Sequence, residues 1–298
     1  MIIKEETMSF AREEIPRVQF AVIGGSSTFS LNFPEDLERE DTEVLRTDLI
    51  FDTPFGESPA FKLVRTGDKE FLTCKMHGWR PPAVSRGQAS QQLFWVLKEA
   101  GVERIYVEGG VGSINPLLEL RDLVIPDDYI DHSMRQDVGL GGPYLMIMRE
   151  PICPTGAEIL YRVAKKHLAG TDRHVFKRGT YVNTDGRHFE SRAEVQMFRS
   201  WHGDFVGQSI APEVYLAREI GACYTGIYMV VNYAEGIIRD WDHKDLSDIF
   251  YGEGKKIGNI LLDALKETPA EAVGCNCRAL RKETLLQEKH GTGKNQRL

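Results

Sequence analysis

The amino-acid sequence predicts an α/β protein with a mostly parallel sheet. The chain alternates near-continuous apolar strands with helices whose apolar residues recur at helical spacing. Strands that are apolar on both faces are typical of a sheet covered on both sides, and this alternation favours parallel pairing. The 298 residues contain no internal repeat. We therefore predict one large domain over 18–280, an N-terminal extension over 1–17 and a polar C-terminal tail over 281–298.

The first half of the chain supplies strands that end in glycine or proline turns. VQFAVIGGSSTF (18–29) is an apolar strand ending in glycines and serines, and LIFDTPFG (49–56) and EFLTCKM (70–76) are further strand candidates. SQQLFWVLKEAG (90–101) has helical apolar spacing and a glycine stop, so we predict a helix. It leads into the strand RIYVEGGVGS (104–113).

The second half continues the alternation. We predict helices at AEILYRVAKKHL (157–168), RAEVQMFRSWHG (192–203), APEVYLAREIG (211–221) and KKIGNILLDALKET (255–268). We predict strands at RGTYVNTDG (178–186), DFVGQS (204–209) and ACYTGIYMVVNYAEG (222–236), the last with a polar end.

Charge and hydropathy exclude two classes of partner. The formal net charge is −7 and no basic cluster offsets it, which argues against a nucleic-acid binder. No apolar run reaches the roughly 20 residues that a membrane span requires. The N-terminal residues lack the basic-then-apolar pattern of a signal peptide, so we expect a cytoplasmic protein without a membrane partner.

The five cysteines suggest a reducing compartment. Cys74, Cys153 and Cys223 stand singly in apolar surroundings and are expected to be buried thiols. Cys275 and Cys277, in GCNCRAL, are spaced too tightly for the usual zinc knuckle, and no second ligand pair follows them. A small redox pair, a local staple or two unpaired thiols remain open, and we predict no metal site.

Several predicted strands end in small or polar residues. In α/β sheets, ligands bind at the carboxyl ends of strands, so these ends predict one pocket of backbone N–H groups, hydroxyls and a histidine suited to an oxyanion. The strand ends are Ser26, His77, Gly109-Gly110, Ser209 and Asn232. Taken singly, each is better explained as a turn residue that satisfies its own backbone, and only the set favours a binding pocket. The glycines near Ser26 also suggest a dinucleotide site, but the third glycine of that fingerprint is missing.

The order of motifs resembles the trimeric purine nucleoside phosphorylases, most closely their S-methyl-5′-thioadenosine phosphorylase branch. The resemblance covers about residues 18–280 and is most specific between 185 and 224. The motifs are AVIGGSS, FDTPFG, WVLKEAGVERIYVEGGVGS, YIDHSMR, EPICP, DGRHFESRAE, MFRSWHGDFVGQSIAPEVYLAREIGACY and VVNYAEG. It implies a single domain with a mostly parallel, partly barrel-like mixed sheet flanked by helices. It also implies phosphorolysis of purine nucleosides with phosphate as co-substrate, no other cofactor, and self-association as a homotrimer or a dimer of trimers.

The resemblance also assigns roles at the purine. Phe189 corresponds to the aromatic residue that lies against the base, and Glu190 to the glutamate of the 6-oxopurine enzymes. Asn232 stands where adenine-type enzymes carry aspartate, and Ala234 where they carry a second carboxylate. An amide donates to N7 and to a 6-oxygen, while Glu190 accepts from the N1–H of a 6-oxopurine. We therefore expect catalytic roles for Asn232 and Glu190 and a preference for 6-oxopurine bases.

The phosphate and sugar positions depart from the family pattern. Ser26, His77, Gly110 and Ser209 correspond to phosphate-binding positions, but Met76 replaces the family's arginine and Glu108 precedes the glycine pair. We expect the loss of that arginine to weaken phosphate binding about ten- to hundredfold, unless Arg80 or Arg86 supplies the charge. Lys75 points to the opposite strand face.

At the sugar, we expect Gln208 and Ser191 to contact the substrate. The segment YLMIMREP (144–151) is either an apolar 5′ wall or an ordinary core strand. A family member with an impaired phosphate site, acting as a slow nucleoside hydrolase or as a binder of flat aromatic ligands, is the alternative function.

Overall fold

The computed structural model describes residues 14–78 and 80–285 of the chain, and there it forms a mixed sheet flanked by helices. The helices are α1 (Arg86–Ala100), α2 (Pro154–His167), α3 (Arg192–Ser200), α4 (Ile210–Ile220), α5 (His243–Gly252) and α6 (Gly254–Glu267). The strands are β1 (Phe20–Gly24), β2 (Thr42–Leu49), β3 (Asp52–Thr53), β4 (Gly56–Glu57), β5 (Phe61–Thr66), β6 (Lys69–Lys75), β7 (Arg104–Ser113), β8 (Leu123–Val124), β9 (Asp128–Asp131), β10 (Tyr144–Met146), β11 (Val175–Phe176), β12 (Thr180–Asn183), β13 (Phe205–Gly207), β14 (Cys223–Tyr233) and β15 (Arg281–Glu283).

The principal sheet has the order β11-β8-β14-β7-β1-β6-β5-β2. Its centre is parallel, because β1 pairs in parallel with β6 and β7, and β7 with β14. A branch leaves β7 through the antiparallel strand β13 and continues in parallel through β12 to β9. The prediction of a mostly parallel, mixed sheet flanked by helices is confirmed.

The alternation of side chains along β1 explains why its sequence is apolar throughout. Ala21 and Ile23 pack into the core cluster on one face, whereas Phe20 and Val22 pack into the cluster on the other. Both faces are therefore buried, as expected for a central strand between helical layers. No helix in the described part of the chain is long and apolar enough to span a bilayer.

Two local signals shift the helix and strand boundaries from the prediction. The side chain of Ser85 accepts a hydrogen bond from the backbone N–H of Gln88 and caps α1, so the helix starts four residues earlier than predicted and includes Arg86. The predicted strand over 49–56 is instead the end of β2 followed by the small β3–β4 hairpin, because Pro54 and Gly56 favour a tight turn there.

The part of β2 before residue 49, strands β5, β8, β9 and β11, and helix α5 have no counterpart among the predicted elements. The first residues of the predicted tail, Arg281–Glu283, pair with β10. Residues 286–298 of that tail and residues 1–13 of the predicted N-terminal extension lie outside the described residues.

Candidate functional site

A cavity of about 230 Å³ lies at the carboxyl ends of the central strands. It is lined by all of the sequence-predicted site residues except Ser191. These residues are Ser26, His77, Gly110, Phe189, Glu190, Gln208, Ser209 and Asn232. The residues come from β7, β14 and the turns that follow β1, β6, β12 and β13, which is the convergence that parallel-sheet topology predicts.

At one end of the cavity two serines flank the glycines of β7. The Ser26 hydroxyl accepts a hydrogen bond of 2.6 Å from the Gly110 N–H. A Cβ on Gly110 would lie 3.0 Å from that hydroxyl oxygen, so a side chain would crowd this approach. The Ser209 hydroxyl lies 3.3 Å from the Tyr181 hydroxyl on the other side of the strand end. This end therefore presents small hydroxyls and strand-end backbone, a set suited to an anion.

Arg86 supplies the cation of this end. It stands at the first position of α1 and lines the cavity with His77. Burial, together with the nearby Arg86 and Arg80, lowers the pKa of His77, so at pH 7 His77 is neutral and offers hydrogen bonds rather than a charge. Burial and the nearby Arg135 also lower the pKa of Arg86, an effect that Glu213 opposes. A guanidinium nonetheless stays charged at neutral pH.

The other candidate cations face elsewhere. Lys75 donates to the carbonyl oxygen of Phe29 at 3.0 Å, away from the cavity, as the strand alternation predicts. Within the described residues, Arg80 does not line the cavity, whereas Arg86 does. Met76 lines it with a side chain that is buried in the core. Of the two arginines considered from the sequence, Arg86 is the one in position to replace the missing charge.

Glu108 holds the loop after β1. Its carboxylate accepts hydrogen bonds from the N–H groups of Gly25 at 2.5 Å, Ser27 at 3.0 Å and Thr28 at 3.0 Å. The Thr28 hydroxyl adds a fourth at 2.8 Å. A carboxylate next to the glycine pair would repel a bound anion, but in the structure the oxygens of Glu108 are engaged by the loop. These three N–H groups are consequently occupied within the protein.

The opposite end of the cavity carries an amide and a carboxylate. Glu190 is buried and accepts a hydrogen bond of 2.6 Å from the Thr184 hydroxyl, which fixes the orientation of the carboxylate. Asn232 is also buried, and its Nδ2 donates to the Tyr233 carbonyl oxygen at 2.9 Å. That bond uses one Nδ2 proton, which leaves the second Nδ2 proton and the amide oxygen of Asn232 for other partners. These groups can recognise the polar edge of a heterocycle.

Aromatic and apolar side chains border this polar edge. The ring of Phe189 is 45% exposed and lies 4.9 Å, centroid to centroid, from the ring of Trp241. The Gln208 side chain packs directly against Gly186. A Cβ atom on residue 186 would lie 2.1 Å from the Gln208 Oε1 atom. Because Gly186 has a φ of +81° and no side chain, Gln208 can lie directly over it. The cavity thus has an aromatic ring at its rim and a polar side chain beside it.

Two sequence-based assignments fall outside the cavity. Ser191 caps α3, where its hydroxyl accepts from the Glu194 N–H and the Glu194 carboxylate accepts in return, so its predicted substrate contact has no support from its position. The segment 144–151 contributes the short strand β10, which pairs with β15 and does not line the cavity of the described chain. The placement favours its role as a strand.

Glu213 is a cavity residue that sequence reasoning missed. Burial raises its pKa to about 7, and Arg86 and a hydrogen bond from the Tyr224 hydroxyl oppose the rise. The signal was a single carboxylate within the apolar stretch that begins α4. Leu246 and Phe250, on α5, also line the cavity, and no sequence pattern distinguished them from ordinary helix residues.

Comparison with known proteins places these features in a family. A 6-oxopurine nucleoside phosphorylase from Pyrococcus furiosus is 32% identical over 278 residues, covering 89% of this chain and 97% of the relative. An S-methyl-5′-thioadenosine phosphorylase from Pyrococcus horikoshii is 28% identical over 263 residues, covering 87% and 96%.

Among solved structures, a methylthioadenosine phosphorylase from an antarctic soil metagenomic library has the same fold. Its TM-score is 0.75 at 23% identity, and the match covers 89% of this chain and 91% of that one. The sequence profile of the phosphorylase superfamily matches residues 19–266. The chain therefore belongs to the phosphorylase superfamily.

Proposed function

We propose that this protein catalyses the phosphorolysis of purine nucleosides, including 5′-methylthio nucleosides, and that it prefers 6-oxopurine bases. The observation that carries the proposal is that one cavity combines an anion-binding end, with Ser26, Ser209 and Arg86, and a heterocycle-binding end, with Glu190 and Asn232. Relatives with nearly full-length matches are named 6-oxopurine nucleoside phosphorylase and S-methyl-5′-thioadenosine phosphorylase, which supports both the reaction and the substrate class.

The base preference follows from hydrogen-bond complementarity. Glu190, held by Thr184, accepts from the N1–H that hypoxanthine and guanine carry and adenine lacks. The Asn232 amide donates to N7. With Phe189 against the face of the ring, the base is oriented in its plane. A site that leaves a buried carboxylate without its donor discriminates strongly against the wrong base.

The phosphate end is proposed to rely on hydroxyls and one guanidinium. Ser26, Ser209 and the neutral imidazole of His77 offer hydrogen bonds, and Arg86 offers the positive charge. Glu108 already uses the N–H groups of Gly25, Ser27 and Thr28, so phosphate depends more heavily on Arg86 than it would with a free loop. Charge-assisted hydrogen bonds from a guanidinium are among the strongest that an oxyanion makes.

In the reaction, a phosphate oxygen forms a bond to the anomeric carbon of the sugar as the carbon–N9 bond breaks. The electron pair of that bond passes to the purine, and the hydrogen bond from Asn232 to N7 strengthens as the negative charge grows. A donor aimed at charge that develops in the transition state lowers the barrier rather than only tightening binding. The purine anion takes up a proton from the solvent, so the products are the free base and a sugar 1-phosphate.

The proposal needs no organic cofactor, since phosphate is the co-substrate. From the resemblance we also propose that the protein forms homotrimers. Native mass spectrometry tests this directly: a species of three times the chain mass supports the proposal, whereas a monomer alone contradicts it.

The activity is tested by incubating the protein with inosine, methylthioinosine or methylthioadenosine, with and without phosphate, and measuring the free base. The proposal predicts release that depends strictly on phosphate and is fastest with the 6-oxopurine substrates. Equal release without phosphate indicates a hydrolase, and binding without release indicates a ligand-binding protein; either result contradicts the proposal.

A further inference from the structure

Four cysteines that are far apart in the sequence form one cluster. Cys153, Cys223, Cys275 and Cys277 place their sulfur atoms within 4.8 Å of one another. Cys153 precedes α2, Cys223 begins β14, and the other two lie in the loop between α6 and β15. Within the described chain, none of the four lines the nucleoside cavity, so the cluster is a separate feature.

The spacing of the sulfurs matches the coordination shell of one metal ion. Zinc bound tetrahedrally by four thiolates at about 2.3 Å places the sulfurs about 3.8 Å apart. In the structure the Cys223 and Cys275 sulfurs lie 3.6 Å apart. A disulfide requires only that two sulfurs approach each other, whereas mutual proximity of all four is what a single ion requires.

The surroundings of the cluster are those of a buried anion. Arg104 is buried, and its Nη1 donates to the Cys223 sulfur at 2.9 Å. Its Nη2 donates to the Glu271 carbonyl oxygen. Burying a guanidinium is costly unless negative charge lies nearby, and a zinc tetrathiolate carries a net charge of about −2. Cys153 is the N-cap of α2, where the positive end of the helix dipole also favours a thiolate.

The low solvent exposure of the four cysteines distinguishes the cluster from a redox-active pair at the surface. Cys153, Cys223 and Cys277 are 1%, 4% and 2% exposed, and Cys275 is partly exposed. Structural zinc sites are closed in this way, with all four ligands from the protein. Partial exposure at Cys275 leaves a route by which an ion enters.

We propose that Cys153, Cys223, Cys275 and Cys277 bind one structural Zn²⁺. On binding, each thiol gives its proton to the solvent and forms a sulfur–zinc bond. The ion joins the loop after α6 to the start of β14 and to the N-terminus of α2, so that it holds the C-terminal part of the chain on the sheet. The proposal is independent of the nucleoside site.

The test uses the full-length protein, reduced with a phosphine and loaded with Zn²⁺ or with Co²⁺. We expect about one zinc per chain by elemental analysis after removal of free metal. With Co²⁺ we expect the sulfur-to-metal charge-transfer bands and the intense d–d bands of a tetrahedral tetrathiolate. In the Cys275→Ser variant the cobalt bands should shift. The zinc-loaded variant should release its zinc at a chelator concentration at which the unchanged protein retains it. Cys74→Ala, which removes the cysteine outside the cluster, should behave like the unchanged protein.

Three results overturn the proposal. The first is zinc content in the reduced protein no higher than in a Cys153→Ser, Cys223→Ser double variant. The second is a cobalt spectrum without thiolate bands. The third, measured on protein as purified and not treated with the phosphine, is a thiol count in denaturant, after chelation, of three or one rather than five, because each disulfide removes two of the five thiols. The spectrum and the thiol count use the unchanged protein, so they decide the matter even where a variant does not fold.

Discussion

The Thr184 hydroxyl donates a 2.6 Å hydrogen bond to the carboxylate of Glu190 inside the nucleoside cavity. Both residues are buried, so this bond sets the direction in which the second carboxylate oxygen faces. The residue proposed to recognise the base is therefore oriented by a neighbour, Thr184, that the proposal gives no contact with the base.

Removing the Thr184 hydroxyl should impair recognition of 6-oxopurines selectively. Thr184→Val keeps the shape but not the donor, so we expect kcat/KM for inosine to fall about tenfold, equivalent to about 1.4 kcal/mol. Thr184→Ser should retain most of the activity. Adenosine, which has no N1–H for Glu190, is the control substrate. An equal loss with both substrates would indicate a general structural defect and contradict the assignment.

Exchanging the amide at position 232 should change the preferred base. In Asn232→Asp, a protonated carboxyl donates to N7 and its other oxygen accepts from a 6-amino group. We expect the ratio of kcat/KM for methylthioadenosine to that for methylthioinosine to rise at least tenfold. Asn232→Ala, which offers neither pattern, should slow both substrates. If Asn232→Asp ranks the bases as the unchanged protein does, the role given to Asn232 is wrong.

Arg86 should carry the affinity for phosphate. Because it lines the anion end of the cavity, we expect Arg86→Met to raise the KM for phosphate about ten- to hundredfold. The dissociation constant for inosine alone should change little. Arg80→Met is the matched control and should leave the KM for phosphate near its original value.

A compensating change sharpens this test. Met76 also lines the cavity, at the position where the family carries its arginine, so Met76→Arg in the Arg86→Met background should restore part of the phosphate affinity. Failure of Arg86→Met to affect phosphate, with Arg80→Met affecting it instead, would show that the charge comes from a different side chain.

The protonation of Glu213 should make anion binding depend on pH. Its pKa is raised to about 7 by burial, so the side chain is neutral below that pH and gains a negative charge above it, close to Arg86. Binding of an anion should therefore weaken as the pH rises through about 7. Sulfate is the suitable probe, because it stays a dianion over this range whereas phosphate titrates.

We expect the inhibition constant of sulfate to rise severalfold between pH 6 and 8 in the unchanged protein. Glu213→Gln keeps an acceptor for the Tyr224 hydroxyl and should abolish the part of the rise centred near pH 7. A remaining change below pH 6.5 belongs to His77, whose pKa is lowered from 6.5. The same profile in both proteins would remove Glu213 from the account.

The features that follow from strand topology could be predicted from the sequence. Ser26, His77 and Asn232 each lie at or just beyond the end of a buried strand, and the rule that ligands bind at the carboxyl ends of parallel strands brings them together. Gly110 lines the same cavity but lies inside β7, three residues before that strand ends. Ser209 precedes α4 at the same edge. For these residues, the position expected from the local sequence pattern agrees with the position in the folded chain.

Features that depend on tertiary contact could not be predicted. From the sequence, Arg80 and Arg86 are equal candidates for the positive charge at the phosphate end. Only the course of the chain into α1 directs Arg86 to the cavity. The engagement of Glu108 with the loop after β1 joins residues 80 or more positions apart. The two cysteines of CNC likewise reveal nothing about Cys153, which is brought beside them by folding.

The central claim is that phosphate, and not water, attacks the sugar in this cavity. The most direct measurement follows the reaction with inosine by ³¹P NMR while the free base is measured in the same sample. The account predicts one sugar 1-phosphate for each hypoxanthine released, with inorganic phosphate consumed in equal amount. Hypoxanthine accompanied by free ribose, with the phosphate signal unchanged, would contradict it.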